Sequence, residues 1–221
     1  WTYEDMKGKT MFGVATDITE GLYGYEGIDY IDGKAGNDFI EGASGNDKLN
    51  GGVANKFLYS SSGDNILKGV NGKDFLSGGY YSWKKDNNGN DTFVFGRGYG
   101  QDTIDNYDSG TSNSDTIKFL PDILPSDVTM FKNQSNLELR INGTEDKLIV
   151  RNHFADSHER VENIVFADGT VWKYSDLLIM TTFGVATDGN DSLEGYEGID
   201  FIEGLAGNDY ITGVLSDDTL D

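Results

Sequence analysis

Aspartates recur in this chain at a spacing that would bring carboxylates together. Within residues 24–50, three nine-residue units follow one another without a gap and read GYEGIDYID, GKAGNDFIE and GASGNDKLN. Each unit has glycine at its first and fourth positions, aspartate at its sixth and an aliphatic residue at its eighth. Glycine permits backbone angles that a side chain would forbid, so the first six residues can turn sharply. The last three then form a short strand whose aliphatic side chain points inward.

Two units would make one coil of a solenoid, so that turns on the same side recur every eighteen residues. The aspartates that this register stacks are Asp29 with Asp47, Asp191 with Asp209, and Asp200 with Asp218. Aspartate is common in turns in general, but this preference does not explain why Gly-x-Asp recurs in the same frame in one unit after another. Paired carboxylates with inward-facing carbonyls make an oxygen-only cage, which suits the hard cation Ca²⁺. Zinc and copper are not expected, because the chain has no cysteine and both histidines lie outside the repeats.

The nonapeptides resemble the calcium-binding repeats of RTX proteins, which coil into a parallel β-roll. A second set of units lies at 189–221, and the segment GRGYGQDTI at 96–104 is similar to the one that closes RTX rolls. The resemblance therefore covers nearly the whole chain. It implies an all-β fold, namely a right-handed parallel β-roll, then a β-rich flanking domain and the start of a second β-roll.

Three domains are predicted. The first RTX β-roll takes residues 10–95, the β-rich flanking or capping domain takes 96–180, and a second, truncated β-roll takes 181–221. The division rests on a longer period, because 10–42 and 181–213 share 22 of 33 residues at a constant offset of 171. Identities such as Phe12 with Phe183 lie outside the nonapeptide consensus. We therefore expect a tandem array, in which the open end of the second roll favours end-on self-association.

Several calcium ions are expected as cofactors, held by candidate ligands in both rolls. In the first roll the candidates are Gly24, Glu26, Ile28, Asp29, Gly33, Ala35, Asn37, Asp38, Gly42, Ser44, Asn46, Asp47, Asn65, Gly69, Asn71, Asp74 and Asp91. In the second roll they are Asp188, Asn190, Asp191, Gly195, Glu197, Ile199, Asp200, Gly204, Ala206, Asn208, Asp209 and Asp218. Lys56 predicts a coil without calcium, because an ammonium group takes the place of the cation. Asn65 can still offer a carbonyl oxygen, and it is the weaker candidate.

Two other sets of residues are candidates for a functional role. Phe39, Phe57 and Phe75 are eighteen residues apart and should stack on one outer face. Either they simply suit strands, or the ladder docks against the flanking domain or a neighbouring copy. The sequence offers no pattern of metal-binding or catalytic residues that includes His153 or His158, so a surface or packing role is expected for both.

Composition excludes several classes of function. The formal net charge is −21, from 38 acidic and 17 basic residues, whereas nucleic-acid binding needs a basic face. No apolar run approaches the ~20 residues of a membrane helix, so the chain is not expected to span a membrane. No nucleophile–base pair, phosphate loop or nucleotide fingerprint is visible, and no catalytic residue or enzymatic activity is expected.

The resemblance implies a calcium-binding repeat region from a large secreted toxin, similar to the haemolysin-like and iron-regulated RTX cytotoxins. It further implies export from a Gram-negative bacterium by the type I secretion machinery, folding on external calcium, and a host-cell surface as partner. A large RTX adhesin and the secretion domain of a secreted hydrolase or protease are the alternatives. The 171-residue repeat favours a toxin or adhesin, because a hydrolase usually carries one roll.

Overall fold

The computed structural model describes residues 15–79, 89–108, 113–180, 182–183, 188–195, 201–202, 204–213 and 219–220. Over these residues the chain is almost entirely β, with short strands in two large sheets. One sheet has eleven strands and the other has seven. No helix in the described part is long and apolar enough to cross a bilayer.

The nonapeptides form a two-sheet coil. Their strands are β1 (Gly21–Tyr23), β2 (Tyr30–Asp32), β3 (Phe39–Glu41), β4 (Lys48–Val53), β5 (Phe57–Tyr59), β6 (Ile66–Asn71) and β7 (Phe75–Ser77). Odd-numbered strands enter the larger sheet and even-numbered strands the smaller one. Each pairs in parallel with the strand one coil later, as Ile40 does with Leu58 and Ile31 with Leu49. This arrangement confirms the predicted parallel β-roll and its eighteen-residue register.

The core of the roll is a column of aliphatic side chains. The eighth residue of each unit is the central residue of a three-residue stretch of strand, so its side chain points between the sheets while its neighbours point outward. The column consists of Leu22, Ile31, Ile40, Leu49, Leu58, Leu67 and Leu76, each no more than 2% exposed. Because strands this short bury only one aliphatic side chain each, the roll has a narrow core and depends on its turns for further stability.

The fourth-position glycines let neighbouring coils approach closely. Gly45 has a φ of +137°, and a Cβ at this position would lie 1.8 Å from the carbonyl oxygen of Gly27 in the preceding coil. A side chain there would push the two turns apart, and the backbone conformation would also be strained. Glycine at this position therefore allows the turns of neighbouring coils to stack as closely as their strands do.

The two sheets continue beyond the nonapeptides. The next strands are β8 (Thr92–Phe95), β9 (Gln101–Ile104), β10 (Thr116–Phe119), β11 (Val128–Asn133), β12 (Asn136–Ile141), β13 (Lys147–Val150), β14 (Asn163–Val165) and β15 (Val171–Lys173). Strand β8 pairs in parallel with β6 and β10, and β9 pairs in parallel with β7 and β13. The predicted flanking segment thus extends both sheets of the roll, and the division of the chain at residue 96 stays a prediction.

Within the described part, antiparallel strand pairs and short helices are found only after strand β10. Strands β11, β12 and β13 form an antiparallel meander, and β14 and β15 form a hairpin. Two 3-10 helices, Pro125–Asp127 and Ser157–Glu159, interrupt the strands. Helix α1 (Tyr174–Met180) follows β15 and buries Leu177 in the common core. One hydrophobic core therefore runs from the roll into the flanking segment.

The second set of nonapeptides repeats the pairing of the first. Its described strands are β16 (Thr182–Phe183), β17 (Ser192–Glu194), β18 (Phe201–Ile202), β19 (Tyr210–Thr212) and β20 (Thr219–Leu220). Strand β17 pairs in parallel with β19, and β18 pairs in parallel with β20, with Leu193 opposite Ile211 and Ile202 opposite Leu220. Each of these pairs joins residues eighteen apart, which is the register of the first roll.

Candidate metal centre

Side chains at the sixth position of the units form two rows, one for each sheet. In the first row, each residue stands just before a strand of the eleven-stranded sheet or near its start. This row consists of Glu20, Asp38, Lys56, Asp74 and Asp102. The second row does the same for the seven-stranded sheet and consists of Asp29, Asp47, Asn65, Asp91, Asp115 and Glu162. We refer to these sets below as the first row and the second row.

A repeated hydrogen bond fixes one oxygen of each carboxylate. The backbone N–H of Asp29 donates to Asp47 Oδ1 over 2.9 Å, and the N–H of Glu20 donates to Asp38 Oδ1 over 3.0 Å. In the second set of nonapeptides, the N–H of Asp191 donates to Asp209 Oδ1 over 2.9 Å. Each of these three carboxylates thus accepts a hydrogen bond from the coil before it, which holds the carboxylate inside the stack of turns.

The other carboxylate oxygen is in most cases buried without a partner. Four such Oδ2 atoms accept no hydrogen bond within the described residues, those of Asp38, Asp47, Asp74 and Asp91. Asp29 differs, because its Oδ2 accepts the Tyr25 N–H over 2.8 Å. A buried carboxylate oxygen that lacks a donor or a counter-charge is costly. A cation inside the turn would supply the missing partner, so these oxygens fit the ligand set of a calcium ion.

Lys56 shows where a cation is held in this fold. Its side chain is 1% exposed, and Nζ donates to the carbonyl of Gly36 over 2.5 Å and to that of Ala54 over 3.3 Å. Nζ also contacts the Val53 carbonyl and lies 3.6 Å from Asp38 Oδ2. The ammonium group therefore sits among turn carbonyls and a first-row carboxylate, and it neutralises Asp38 without a metal.

Asn65 occupies its turn differently from the sequence-based expectation. Its Oδ1, which was expected to reach a cation, accepts the Asp47 N–H over 2.9 Å. Its NH2 group faces the turn and donates to the carbonyls of Ser61 and Gly63, over 3.1 and 2.8 Å. The amide hydrogens thus satisfy the carbonyls that a cation would otherwise bind. In this arrangement the amide oxygen of Asn65 is engaged by the Asp47 N–H, and the role of Asn65 as a metal ligand stays a prediction.

First-position glycines make room for the carboxylates. At Gly24, Gly42, Gly69 and Gly204, a Cβ would lie 2.4 to 2.7 Å from Oδ2 of the aspartate five residues later. At Gly33 the corresponding distance to Asp38 Oδ2 is 3.1 Å. Any side chain at these positions would push the carboxylate out of the turn.

The remaining predicted ligands differ in their exposure and in their contacts. The side chains of Glu26, Ile28, Ser44, Asn71, Asp188 and Ala206 are exposed, and Ala35 is half-buried. The side-chain oxygens of Asn37, Asn46 and Asn190 accept backbone N–H groups of the adjacent coil, from Asn55, Asp64 and Asn208. Gly195 is buried, and its N–H donates to the Thr212 carbonyl over 2.6 Å. The predicted ligands Glu197, Ile199, Asp200 and Asp218 lie outside the described residues.

No three acidic or histidine side chains converge as a metal site within the described residues. A calcium ion takes six to eight oxygen ligands, and backbone carbonyls are among those it accepts. The described turns offer one row carboxylate each, together with nearby carbonyls, except where Lys56 or Asn65 takes the place of the carboxylate. The donor set is therefore one of carboxylate and carbonyl oxygens, which suits Ca²⁺ rather than a metal that prefers nitrogen or sulfur.

Sequence reasoning missed three members of the rows. Asp102 accepts the Asp74 N–H, Asp115 accepts the Asp91 N–H, and Glu162 accepts the Asp115 N–H, over 2.9, 2.7 and 2.8 Å. They were missed because they lie 28, 24 and 47 residues after their partners instead of eighteen. A local signal survives at each, because an acidic residue stands two positions before an inward isoleucine, as in Asp-Thr-Ile and Glu-Asn-Ile.

Burial raises the pKa values of the row carboxylates. Burial, reinforced by the charge of Asp29, raises the pKa of Asp47 to about 7, although the Asp29 N–H opposes the shift. Burial and the neighbouring charge of Asp115 raise the pKa of Asp91 to about 8. The same desolvation raises the pKa of Asp102 to about 9. Without a cation these groups favour the protonated form, and a bound cation would favour the ionised form.

Comparison with known proteins agrees with this geometry. The family described as the RTX calcium-binding nonapeptide repeat matches residues 23–55, 57–80 and 185–220. The haemolysin-type calcium binding protein related domain matches residues 136–176. A relative, the iron-regulated protein FrpA of Neisseria meningitidis serogroup C, is 35% identical over 109 residues, which are 48% of this chain and 10% of that protein. The chain thus spans about a tenth of the length of this relative.

The two-sheet coil with its rows of turn carboxylates defines a β-roll built from calcium-binding repeats. The chain belongs to the RTX family of haemolysin-type calcium-binding nonapeptide-repeat proteins.

Replacing Lys56 with methionine tests whether its ammonium group serves as the cation of its coil. Lys56→Met keeps the aliphatic stem but leaves Asp38 and the turn carbonyls without a partner. In EGTA at pH 5, where the calcium-free roll is more stable than at neutral pH, we expect a loss of about 3–5 kcal/mol in the free energy of unfolding, as for a broken buried ion pair. Lys73→Met, at an exposed position of the same roll, should change it by less than about 0.5 kcal/mol. Equal urea midpoints for the two variants would contradict this role.

The raised pKa values predict an unusual pH dependence. Asp47 and Asp91 have folded-state pKa values of about 7 and 8 against an ordinary value of 3.8. The calcium-free roll is therefore most stable below the ordinary value and loses stability as the pH rises through 7 and 8. In EGTA, the urea midpoint should be lower at pH 8 than at pH 5. Saturating calcium should remove this loss, and a midpoint in EGTA that does not fall with pH would show that the groups are ionised without a metal.

Proposed function

We propose that this chain is the calcium-binding repeat region of a large secreted RTX toxin, which is exported unfolded and folds when it meets external calcium. The observation that carries the proposal is the set of buried, unpartnered Oδ2 atoms in the two rows. Without a cation, stacking of the coils requires these carboxylates either to bury a negative charge or to take up a proton, and both are costly at neutral and higher pH. Binding of calcium would thus supply much of the free energy of folding.

The proposal gives the chain a structural role. The narrow core of the roll contributes too little by itself to offset the burial of several carboxylates. Calcium is scarce in the cytosol and abundant outside the cell, so an unfolded chain before export and a folded chain after it follow from one equilibrium. We therefore infer an extracellular protein of a Gram-negative bacterium, with the type I secretion machinery and a host-cell surface as partners.

A large RTX adhesin is the second candidate, favoured by one specific observation. The 22 identities in 33 positions at an offset of 171 residues indicate that a unit longer than the nonapeptide is repeated. Repeated rolls rigidified by calcium would also serve as a stalk. A single secretion domain of a hydrolase is less consistent with this repeat. The rest of the protein decides between toxin and adhesin, through a pore-forming or an adhesive region.

Circular dichroism with and without calcium tests the proposed folding. We expect little β signal in EGTA at neutral pH and a cooperative rise with millimolar Ca²⁺, as weak extracellular sites require. Mg²⁺ should not substitute, because it demands a tighter octahedral shell. Equal β content in EGTA and in calcium would overturn the proposal.

Asp47→Asn separates the metal role of the row from a general effect of charge. This change keeps the shape of the side chain but removes the ionised oxygen, so we expect about a tenfold higher calcium midpoint, equivalent to about 1.4 kcal/mol. The control Asp32→Asn removes the same charge from an exposed carboxylate on β2. It should leave the midpoint within about twofold. Identical shifts for both variants would show that net charge, rather than the row, sets the calcium dependence.

A further inference from the structure

Two basic side chains stand opposite each other on the outer face of the larger sheet. Arg140 of β12 and Lys147 of β13 are direct cross-strand partners, and Lys147 pairs in turn with Gln101 of β9. Their neighbours Leu139 and Leu148 are buried in the core, so the two basic side chains point to the other face. Because like charges directly opposite each other destabilise a sheet, this pair needs an anion beside it.

Glu138 supplies one negative charge for these two cations. It is 3% exposed, and its Oε1 accepts a hydrogen bond from Arg140 Nε over 2.5 Å and lies 3.8 Å from Lys147 Nζ. Among the described residues, no other acidic group lies within 4.0 Å of either basic group. One positive charge is thus left over at this point of a chain whose formal net charge is −21.

The guanidinium group of Arg140 is held in one orientation. Its central carbon lies 4.7 Å from the centroid of the Phe131 ring, and its Nε is engaged by Glu138. Within the described residues, neither terminal nitrogen of Arg140 donates a hydrogen bond. The planar fork of a guanidinium group matches the two oxygens of a carboxylate. Arg140 is therefore already positioned to bind such a group.

A cleft of about 320 Å³ adjoins the basic pair, a volume that suits a small ligand. Its walls come from the sheet and from the turn between β12 and β13, and they consist of Gln101, Arg140, Thr144, Glu145, Asp146 and Lys147. Both carboxylate oxygens of Asp146 accept backbone N–H groups, those of Gly98 and Gly100, each over 2.8 Å. These bonds fasten the turn to the loop before β9 and fix that wall of the cleft.

The groups around the cleft define the chemistry of its ligand. One uncompensated positive charge suits a monovalent anion, because a divalent phosphate or sulfate would bring a second negative charge close to Glu145 and Asp146. Beside the two cations, the Gln101 amide can both donate and accept hydrogen bonds, and the exposed Glu145 carboxylate can accept them. These groups suit hydroxyls. An acidic sugar carries one carboxylate and several hydroxyls, and it meets both requirements.

We propose that this cleft binds an acidic sugar, whose carboxylate is held by Arg140 and Lys147. The site uses none of the side chains of the first or second row, so it goes beyond the calcium binding proposed above. Its chemistry is the same for a free uronic acid and for a uronic acid that is a residue of a glycan.

An NMR titration of the full chain, folded in saturating calcium, with sodium D-glucuronate tests the proposal. We expect saturable shifts of the backbone amides of Arg140, Lys147 and Gln101. D-Glucose lacks the carboxylate and should cause no saturable shift. Acetate lacks the hydroxyls and should bind at least about tenfold more weakly. Methyl β-D-glucuronoside should bind as well as D-glucuronate if the ligand is a residue of a glycan, and more weakly if it is the free acid.

Three variants separate the cleft from a general effect of charge. Arg140→Lys keeps a positive charge beside Glu138 but loses the fork, so we expect the chain to fold and to bind D-glucuronate about tenfold more weakly. Lys147→Gln should weaken binding to a similar extent. Arg151→Gln is the matched control, because Arg151 follows β13 directly and pairs with Asp105 over 2.8 Å. It should leave the affinity within about twofold.

Absence of a saturable shift in the unmodified chain, with circular dichroism showing that it is folded in calcium, would overturn the proposal. Equal affinities of the unmodified chain, Arg140→Lys and Lys147→Gln would also overturn it. A loss in Arg151→Gln as large as that in Lys147→Gln would do the same, because it would show that the overall charge of the chain, rather than the cleft, attracts the anion.

Discussion

Buried carboxylates without counter-ions are the constraint on which this structure depends. Each unit directs its sixth-position side chain into the stack of turns, where one oxygen of a carboxylate accepts a backbone N–H. The other oxygen accepts no hydrogen bond within the described residues at Asp38, Asp47, Asp74 and Asp91, and of these Asp38 has the Lys56 ammonium group 3.6 Å away. The aliphatic column between the sheets offers only one side chain for each strand, so packing alone cannot offset the cost of these charges. The stability of the roll therefore depends on what occupies the turns.

The polar groups of the turns are satisfied in three different ways in this chain. At Lys56 an ammonium group binds the carbonyls and neutralises Asp38. At Asn65 a neutral amide donates to the carbonyls, so that no charge is buried there. At Asp47 and Asp91 the carboxylate has only a proton or an external cation available to it, which is why burial raises their pKa values. The proposed calcium dependence would thus be unevenly distributed along the roll and concentrated where neither lysine nor asparagine replaces the aspartate.

The sequence predicted the coil and the row of Asp29 and Asp47 because turn and strand both lie within nine residues, and a short period can be followed by inspection. It could not predict which atom of Asn65 faces the turn, because that depends on competition between the Asp47 N–H and the turn carbonyls. Asp102 and Asp115 were hidden by loops that lengthen the spacing to 28 and 24 residues. The sharing of sheets between roll and flanking segment was also unpredictable, because strand pairing such as β7 with β9 is set by packing over long range.

Anomalous diffraction from calcium-bound crystals of this chain tests the central claim most directly. The account predicts peaks about 2.3–2.6 Å from the Oδ2 atoms of Asp47 and Asp91, as calcium–oxygen distances require. It predicts no peak at the position of the Lys56 ammonium group, which is already occupied. Crystals grown in calcium that show no anomalous peak beside Asp47 or Asp91, while both carboxylates stay buried, would contradict it.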